Sequence, residues 1–301
     1  MRLFEKTSTS IGFVGAGLLG SSLGKALSLK GYQVTSVASQ NFSSAKQFAR
    51  LIEDCTPYQS VDEVSKIADL IFITTPDDLI EDIASNLKYS KGKAVLHCSG
   101  VLSMKELKTP RDAGAYIGCF HPLQTFPSLK VAIKNMANTT FSIEASRPLR
   151  KFLEQITKDL GGHYIYLRSD EKILYHAAAS ITSGYTVTIL KLALDLWYQF
   201  GFPRDKALKA LLPLLKGTVT GIESVGIPKA LTGPISRGDI QTLTKHINEI
   251  NKRAATILPA YCQIGLNQIP IAIEKGNLSL EIANEIQSLL GNTLKSTKLG
   301  A

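Results

Sequence analysis

The sequence predicts an α/β protein, in which a doubly wound, mostly parallel sheet is followed by an all-helical second domain. Short apolar runs alternate with helical periodicity over the first half of the chain, which is typical of strands covered by helices on both faces. Beyond Arg168 the strand-like runs stop, and long helical patterns separated by proline and glycine take over. A glycine-rich turn follows the first apolar run. We therefore expect two domains, residues 1–167 and 168–301.

The predicted elements alternate along the first domain in the order that a parallel sheet requires. The predicted strands are Ser10–Val14, Gln33–Ala38, Leu70–Thr74, Ala94–His97, Ala115–Cys119, Thr140–Ile143 and His163–Tyr166. The predicted helices between them are Leu18–Leu29, Ser43–Glu53, Leu79–Leu87 and Arg147–Leu160. A long helix from about Asp170 to Phe200 opens the second domain, and Gly201-Phe202-Pro203 is its stop signal.

Composition and charge narrow the class of ligand. Of 301 residues, 44% are hydrophobic and 20% charged, and the formal net charge is +9. Because basic residues are spread along the chain without long runs, we expect a small anionic substrate and no nucleic acid. The four cysteines lack metal-ligand spacing, so reduced thiols, a cytoplasmic protein and no metal site are expected.

One apolar stretch, Ile173–Leu190, has to be weighed as a membrane span. It contains no Lys, Arg, Asp or Glu, but it carries six His, Ser and Thr side chains. That polarity favours a helix buried between domains over one in lipid. No membrane partner is therefore expected.

The glycine-rich turn predicts a Rossmann dinucleotide site. It reads Gly15-Ala16-Gly17-Leu18-Leu19-Gly20, which matches Gly-x-Gly-x-x-Gly, and it joins a strand to a helix. One glycine makes the tight turn, the next lets the backbone approach the pyrophosphate, and the third allows close helix–strand packing. The phosphates are then expected on free N–H groups at the positive end of the helix dipole. Thr75 and Pro76, after a later strand, are expected at the same cleft.

The end of the second predicted strand favours NADP over NAD. An acidic residue there pairs with the ribose hydroxyls of NAD and repels a 2′-phosphate. The segment Ala38–Ser43 contains no Asp or Glu. Ser39 and Gln40 are expected to donate hydrogen bonds to the phosphate, and Lys46 or Arg50 to supply charge.

Polar residues also follow the strands whose carboxyl ends face the nicotinamide in such sheets. Ser99 has a hydroxyl that could orient a substrate oxygen, or could serve only in a turn. His121 is followed by Pro122, so it is expected at a strand exit, where it exchanges a proton with substrate or has a structural role. His97 is expected to point into the packing.

The first helix of the second domain carries a polar face. Its members are Lys172, His176, Ser180 and Ser183. Their spacing places them on one side of the helix, and a buried lysine needs partners, which a cleft with phosphate and a substrate acid would supply. The alternative is a solvated lysine at the helix start. Arg237, in the turn-rich loop Leu231–Asp239, could clamp a carboxylate or pair with Asp239 at a subunit contact.

With these residues collected, the chain resembles the β-hydroxyacid dehydrogenase superfamily. It is most similar to a bacterial family of Rossmann-like proteins of unknown function with a helical C-terminal domain. The resemblance rests on the glycine turn and on Phe120–Phe126, Tyr175–Ala179 and Leu231–Asp239. It implies a helical domain that dimerises, so a homodimer is expected.

Two characterised relatives indicate a chemistry. Ketopantoate reductases carry a catalytic Lys, then Asn four and eight residues later; Lys172, His176 and Ser180 have this spacing, and only the Lys matches in type. Prephenate and arogenate dehydrogenases resemble the first half, with a Ser and a His-Pro that Ser99 and His121-Pro122 match. Their His-Pro-Met/Ile-Ala-Gly continuation is absent here.

The resemblance implies an NADP-dependent oxidoreductase of a small oxo- or hydroxy-carboxylic acid. Lys172 or His121 would donate the proton, Ser99 and His176 would position the substrate oxygen, and Ser180, Ser183 and Arg237 would hold the substrate. One alternative is a prephenate- or arogenate-type dehydrogenase. An alternative of another class is a non-catalytic NADP-binding sensor or assembly protein.

Overall fold

The first half of the chain forms one eight-stranded sheet. The computed structural model describes residues 4–298. The strands are β1 Ser10–Val14, β2 Gln33–Ala38, β3 Thr56–Tyr58, β4 Leu70–Ile73, β5 Ala94–His97, β6 Tyr116–Leu123, β7 Thr140–Ala145 and β8 His163–Tyr166. Their order is β3-β2-β1-β4-β5-β6-β7-β8, and only β6 and β7 pair in antiparallel fashion. The predicted doubly wound, mostly parallel sheet is confirmed.

Helices cover this sheet and then form the rest of the chain. Between the strands lie α1 Leu18–Leu29, α2 Phe42–Arg50, α3 Val61–Ile67, α4 Ile80–Asn86, α5 Lys108–Asp112, α6 Leu129–Met136 and α7 Arg147–Asp159. After β8 come α8 Lys172–Ser180, α9 Thr186–Tyr198, α10 Arg204–Val225, α11 Ile227–Ala230, α12 Ile240–Ala254, α13 Leu258–Glu274 and α14 Leu280–Lys298. A π-helical turn, Ile181–Tyr185, lies between α8 and α9. The predicted all-helical second half is confirmed.

Buried aromatic residues hold the centre of the sheet. Phe13 stacks on Phe72 with ring centroids 5.0 Å apart, and Phe120 stacks on Phe141 at 4.6 Å. All four side chains are fully buried. Such ring pairs add to the free energy that burial alone contributes, so they stabilise the central strands, which carry the site.

Strand β6 is longer than the sequence predicts. It continues past Cys119 through Pro122 to Leu123, because Pro122 lies opposite Phe141 in the antiparallel pair with β7. Strand β5 ends opposite Cys119, so the proline's missing N–H falls where β6 has only one neighbour, a position that tolerates proline. His121 therefore lies inside a strand and not at its exit, which corrects the prediction.

Other differences concern short elements. Strand β3 has three residues and includes Pro57, so neither length nor alternation predicts it. Helices α3, α5 and α6 were also not predicted. The predicted ends of α7 and α9 are confirmed within two residues, and Gly161 and Gly201 adopt φ values of +81° and +80° just beyond them, as glycine does at helix ends.

The chain divides into two compact units between Ser183 and Gly184, whereas the sequence predicted a boundary after residue 167. Helix α8 therefore belongs to the same compact unit as the sheet, and its first turns pack on the sheet. The second unit has its own apolar core, built from α12, α13 and α14. Its fully buried members are Leu243, Cys262, Ala272, Ile286 and Leu290.

One helical segment, Lys172–Tyr198, is long and apolar enough to cross a membrane by length and composition, and none of its most apolar window is buried among the described residues. The expectation that this helix would be buried between domains is therefore wrong for the single chain. Periodicity shows that a helix has an apolar side, but not which chain covers it.

Candidate functional site

Strands β5, β6 and β7 carry a row of polar side chains. Cys119 pairs in register with His97 on one side and with Glu144 on the other, and His121 pairs with Ser142. Because side chains alternate between the two faces of a sheet, all five side chains lie on the same face. Helix α8 lies over this face, as the contacts below show.

A cavity of about 410 Å³ lies between the end of β6 and helix α8. We call it the His121 cavity. Its lining residues are His121, Leu123, Gln124, Thr125, Tyr175, His176, Ala178, Ala179, Ser180, Thr182 and Ser183. Four predicted site residues, His121, His176, Ser180 and Ser183, thus meet around one space of the size of a small-molecule site. Among the described residues, no Lys, Arg, Asp or Glu lines it.

His121 and Tyr175 form a hydrogen-bonded pair in the wall of this cavity. The His121 Nδ1 and Tyr175 Oη atoms are 2.8 Å apart, and the rings meet edge to face. Burial, reinforced by the neighbouring His176, Lys172 and His97, lowers the pKa of His121 to about 4. Burial also raises the pKa of Tyr175. The pair therefore holds an uncharged imidazole beside a protonated phenol at neutral pH.

Tyr175 was not among the predicted site residues. It lies three positions after Lys172, on the helix face that the sequence singled out. A tyrosine at helical spacing is typical of core packing, so the signals that could have found it were its place beside His176 and its position at the start of the segment Tyr175–Ala179 that carries the family resemblance. Its role depends on His121, a residue 54 positions away.

The loop after β5 closes against the two histidines. A Cβ atom placed on Gly100 would lie 2.8 Å from His176 Cδ2 and 2.9 Å from His121 Nε2. The rings themselves lie 6.4 Å apart, measured between centroids. Gly100 therefore leaves the space in which both imidazoles fit.

The serine hydroxyls of α8 and of the turn after it are bonded to their own helix. Ser180 Oγ donates to the His176 carbonyl at 3.0 Å, and Ser183 Oγ donates to the Ala179 carbonyl at 3.1 Å. Each hydroxyl oxygen keeps lone pairs that can accept a hydrogen bond. Ser183 belongs to the π-helical turn, a feature that is frequent at functional sites.

Lys172 does not line the His121 cavity. Its side chain is 1% exposed, and its Nζ atom lies 3.8 Å from Glu144 Oε2. Among residues 4–298 the ammonium finds no hydrogen-bond partner. Glu144 holds this lysine against the sheet, so the structure does not bring the predicted proton donor to the same space as His121.

The Ser99 hydroxyl is also engaged elsewhere. It donates to Asp77 Oδ2 at 2.7 Å and accepts from the backbone N–H groups of Val101 and Leu102 at 3.1 and 3.0 Å. Of the two interpretations of Ser99, this geometry matches the turn serine. His97 is fully buried, and its Nε2 atom lies 2.9 Å from the Ser103 carbonyl; its predicted place in the packing is confirmed.

The glycine turn between β1 and α1 has the geometry of a phosphate cradle. Gly15 adopts φ +107°, and a Cβ on Gly20 would lie 2.5 Å from the Gly15 carbonyl oxygen. By contrast, a Cβ on Gly17 would meet nothing within 4 Å, and no side chain caps α1 at Gly17. Nearby, the buried Thr75 hydroxyl has no hydrogen-bond partner among the described residues. Open space, free N–H groups and an unpartnered hydroxyl fit a dinucleotide phosphate.

The end of β2 is polar and lacks acidic side chains. Ser39 is half-buried and Gln40 exposed. Asn41 caps α2 by accepting from the Ser43 N–H, and Lys46 Nζ lies 4.7 Å from the centre of the Phe42 ring. Pro76, after β4, is exposed. These positions agree with a binding site for the adenosine end of a dinucleotide.

Arg237 lies in the second compact unit, exposed at the end of the short 3₁₀ turn Ile235–Arg237. Asp239 accepts from the Thr242 N–H and hydroxyl. That carboxylate therefore caps α12, and the pKa of Asp239 is lowered first by this backbone hydrogen bond and less by the Arg237 charge.

Two family models match the chain. A Rossmann-like domain matches residues 3–122, and a domain of unknown function, DUF2520, matches residues 139–268. Among curated protein sequences, none matches the chain.

Solved structures share the fold over most of the chain. A Bacteroides fragilis protein, provisionally assigned as an NADP oxidoreductase, is 25% identical and has a TM-score of 0.67, over 84% of this chain and 95% of its own. Pyrroline carboxylate reductase from Plasmodium falciparum, solved with NADP bound, is 16% identical with a TM-score of 0.60, over 91% and 98%. A reductive aminase from Aspergillus terreus, solved with NADPH and ethyl-5-oxohexanoate, is 14% identical with a TM-score of 0.60, over 96% and 95%. The chain is thus similar, through a Rossmann-like domain and a helical domain, to structures of NADP oxidoreductases.

Proposed function

We propose that the protein is an NADP-dependent oxidoreductase acting on a small substrate in the His121 cavity. The observation that carries the proposal is the hydrogen bond between His121 and Tyr175 in the wall of that cavity. His121 lies on β6 just beyond the carboxyl end of β5, and ligands of open α/β sheets bind outside the carboxyl ends of the strands. The similar structures named above supply independent support.

The residues of the first unit fit NADP. The glycine turn around Gly17 and the Thr75 hydroxyl would hold the pyrophosphate, because both are open or unpartnered. Ser39 and Gln40 would bind the 2′-phosphate, with charge from Lys46 or Arg50. When bound, the reduced cofactor supplies the hydride for the substrate.

The His121 and Tyr175 pair would carry out the proton transfer to the substrate. The phenol keeps its proton at neutral pH, because burial raises the pKa of Tyr175, so Tyr175 Oη can donate to a substrate oxygen or nitrogen. In the tautomer that carries its proton on Nδ1, His121 would donate to Tyr175 Oη across the 2.8 Å contact, which holds the phenol in place and leaves the phenol's own proton for the substrate. A positioned acid of this kind contributes on the order of 10²–10⁴ in rate.

A small oxo- or hydroxy-carboxylic acid is the first substrate class to test. A second class, compounds with a C=N bond, is favoured by the walls of the cavity. No Lys or Arg among the described residues lines it, and Ser180 and Ser183 give their protons to backbone carbonyls. Such walls accept hydrogen bonds from an N–H group more readily than they neutralise a carboxylate.

Turnover assays test the proposal. We expect oxidation of NADPH in preference to NADH with a panel of 2-oxo acids or a panel of cyclic imines and carbonyl–amine mixtures, and the active panel identifies the class. Tyr175→Phe should lower turnover at least 100-fold and leave NADPH affinity unchanged. Tyr166→Phe, at an exposed tyrosine of β8, is the matched control.

Two outcomes would contradict the proposal. NADPH binding without turnover on either panel would favour the sensor alternative. A Tyr175→Phe variant with normal turnover would remove the hydroxyl from the mechanism.

We also propose a homodimer through the helical part of the chain. Several large apolar residues there are more than half exposed, including Leu174, Tyr185, Val187 and Leu214. A soluble monomer rarely exposes so much apolar surface. Lys191 and Asp195 form an ion pair on the same helical segment, which disfavours lipid as the cover. A second copy of the chain related by a twofold axis is the commonest solution in soluble oligomers.

A further inference from the structure

Lys172 and Glu144 form a buried ion pair that the proposed reaction does not use. The two side chains are 1% and 11% exposed, and Lys172 Nζ lies 3.8 Å from Glu144 Oε2. The other carboxylate oxygen accepts a hydrogen bond from Ser169 Oγ at 2.6 Å. Lysine is almost never this buried unless it is paired, and a buried pair is weak evidence for stability alone. The pair therefore requires another explanation.

The pair lies next to the proposed proton-transfer groups. On α8, Lys172 precedes Tyr175 and His176 by three and four residues, so the three side chains share one face. On β7, Glu144 lies two residues from Ser142, the register partner of His121, and so on the same face of the sheet. The ion pair thus joins α8 to β7 one helical turn from the contact between Tyr175 and His121.

The Lys172 charge is not neutralised by a hydrogen bond. Its ammonium has no hydrogen-bond partner among the described residues and lies 3.8 Å from the Glu144 carboxylate, so its charge is only partly offset and acts over several ångströms in this buried site. The titratable groups that face His121 are Tyr175, His176 and Lys172 from α8 and His97 from β5, with Cys119 on β6 and Glu144 on β7 beyond them. Of these, Lys172 is the basic partner of the ion pair with Glu144.

We infer that Lys172 is a positioning residue of the proposed site: its pair with Glu144 seats α8 on the sheet so that Tyr175 reaches His121, and its charge acts on the His121 ring from the same face of the sheet. The role given to Lys172 rests on the proposed function, whereas the experiment that tests it does not depend on that function. Lys172 would never touch the substrate.

Titration of the His121 imidazole by NMR in the cofactor-free protein tests this inference. The His121 signal is assigned by its loss in His121→Gln. Lys172→Met keeps the length of the side chain and removes its charge, so we expect the pKa of His121 to rise by roughly one pH unit. Lys172→Arg keeps the charge and should leave the pKa low. Glu144→Gln removes the opposing charge and should not raise it.

Lys172→Met and Glu144→Gln each remove one charge of the pair. An electrostatic effect changes the pKa of His121 differently in the two variants, whereas a packing effect changes it in the same way. If Lys172→Met and Glu144→Gln both raise the pKa of His121 by similar amounts, the pair only packs the helix and the inference fails. No change in Lys172→Met would also overturn it. Should Lys172→Met not fold, Lys172→Met/Glu144→Leu replaces the whole pair by apolar groups, a change that buried pairs tolerate, and a smaller rise in the pKa of His121 is expected because loss of the Glu144 charge opposes it. Because the experiment measures the pKa of His121 and no turnover, its result can be interpreted even if the proposed reaction is not found.

Discussion

At the scale of single residues, two histidine side chains are buried in their uncharged form. His97 and His121 lie on one face of the sheet, and burial lowers the pKa of each to about 4, with Lys172 adding to both shifts. A neutral histidine has one donor and one acceptor nitrogen. His97 uses both on the backbone, at the Ser103 carbonyl and the Ser99 N–H. His121 uses Nδ1 on Tyr175, which leaves its second nitrogen beside Gly100.

These two residues predict an acid-sensitive fold. Each folded-state pKa of about 4 lies below the ordinary value of 6.5, so the unfolded chain binds more protons between these pH values. The free energy of unfolding should therefore be fully retained above pH 6.5 and fall as the pH drops towards 4, by up to about 1.4 kcal/mol per pH unit for each imidazole. Denaturant unfolding at a series of pH values measures this slope. His121→Gln should reduce it, and an unchanged slope in that variant would contradict the prediction.

At the scale of elements, the glycines between β1 and α1 have different roles. Gly20 is required by the packing of the fold, whereas Gly17 leaves open space that a ligand would need. Gly20→Ala would place a methyl group 2.5 Å from the Gly15 carbonyl oxygen, whereas Gly17→Ala meets no atom within 4 Å. We expect Gly20→Ala to lower the melting temperature. Gly17→Ala should keep it and weaken NADPH binding at least tenfold, because the methyl group occupies the phosphate approach.

Thermal melts and NADPH titrations of both variants measure the two effects separately. Equal NADPH affinity in Gly17→Ala and the unmodified protein would exclude this turn as the phosphate site.

Most elements followed from sequence pattern, and the exceptions have physical reasons. Strong periodicity and the glycine stops predicted the central strands and the long helices. Strand β3 was missed because three residues around Pro57 carry no pattern. His121 was found because Pro122 excludes a helix after it and so places it near the carboxyl ends of the strands. Lys172 and His176 share a helix face, but only the fold shows that Glu144, distant in sequence, holds the lysine away from the cavity.

At the scale of the whole molecule, the exposed apolar helices predict self-association. Val187→Glu and Leu214→Glu place charges at positions that are 69% and 68% exposed, and we expect each to convert a dimer to a monomer. Leu29→Glu, at a leucine of α1 that is 62% exposed, is the matched control and should leave the dimer intact. Analytical ultracentrifugation measures the mass. A monomeric unmodified protein that sediments with lipid vesicles would instead assign these helices to a membrane.

Gly100 shows a constraint of another kind. Unlike Gly15, it does not have a φ in the left-handed region, so φ alone does not require glycine there. Its restriction comes from the His121 and His176 rings that lie against it. Even alanine at position 100 would therefore clash with two residues elsewhere in the chain, and it would fit only if both rings moved or became smaller. Glycine at position 100 is thus required by two side chains that line the His121 cavity, although Gly100 itself does not line it.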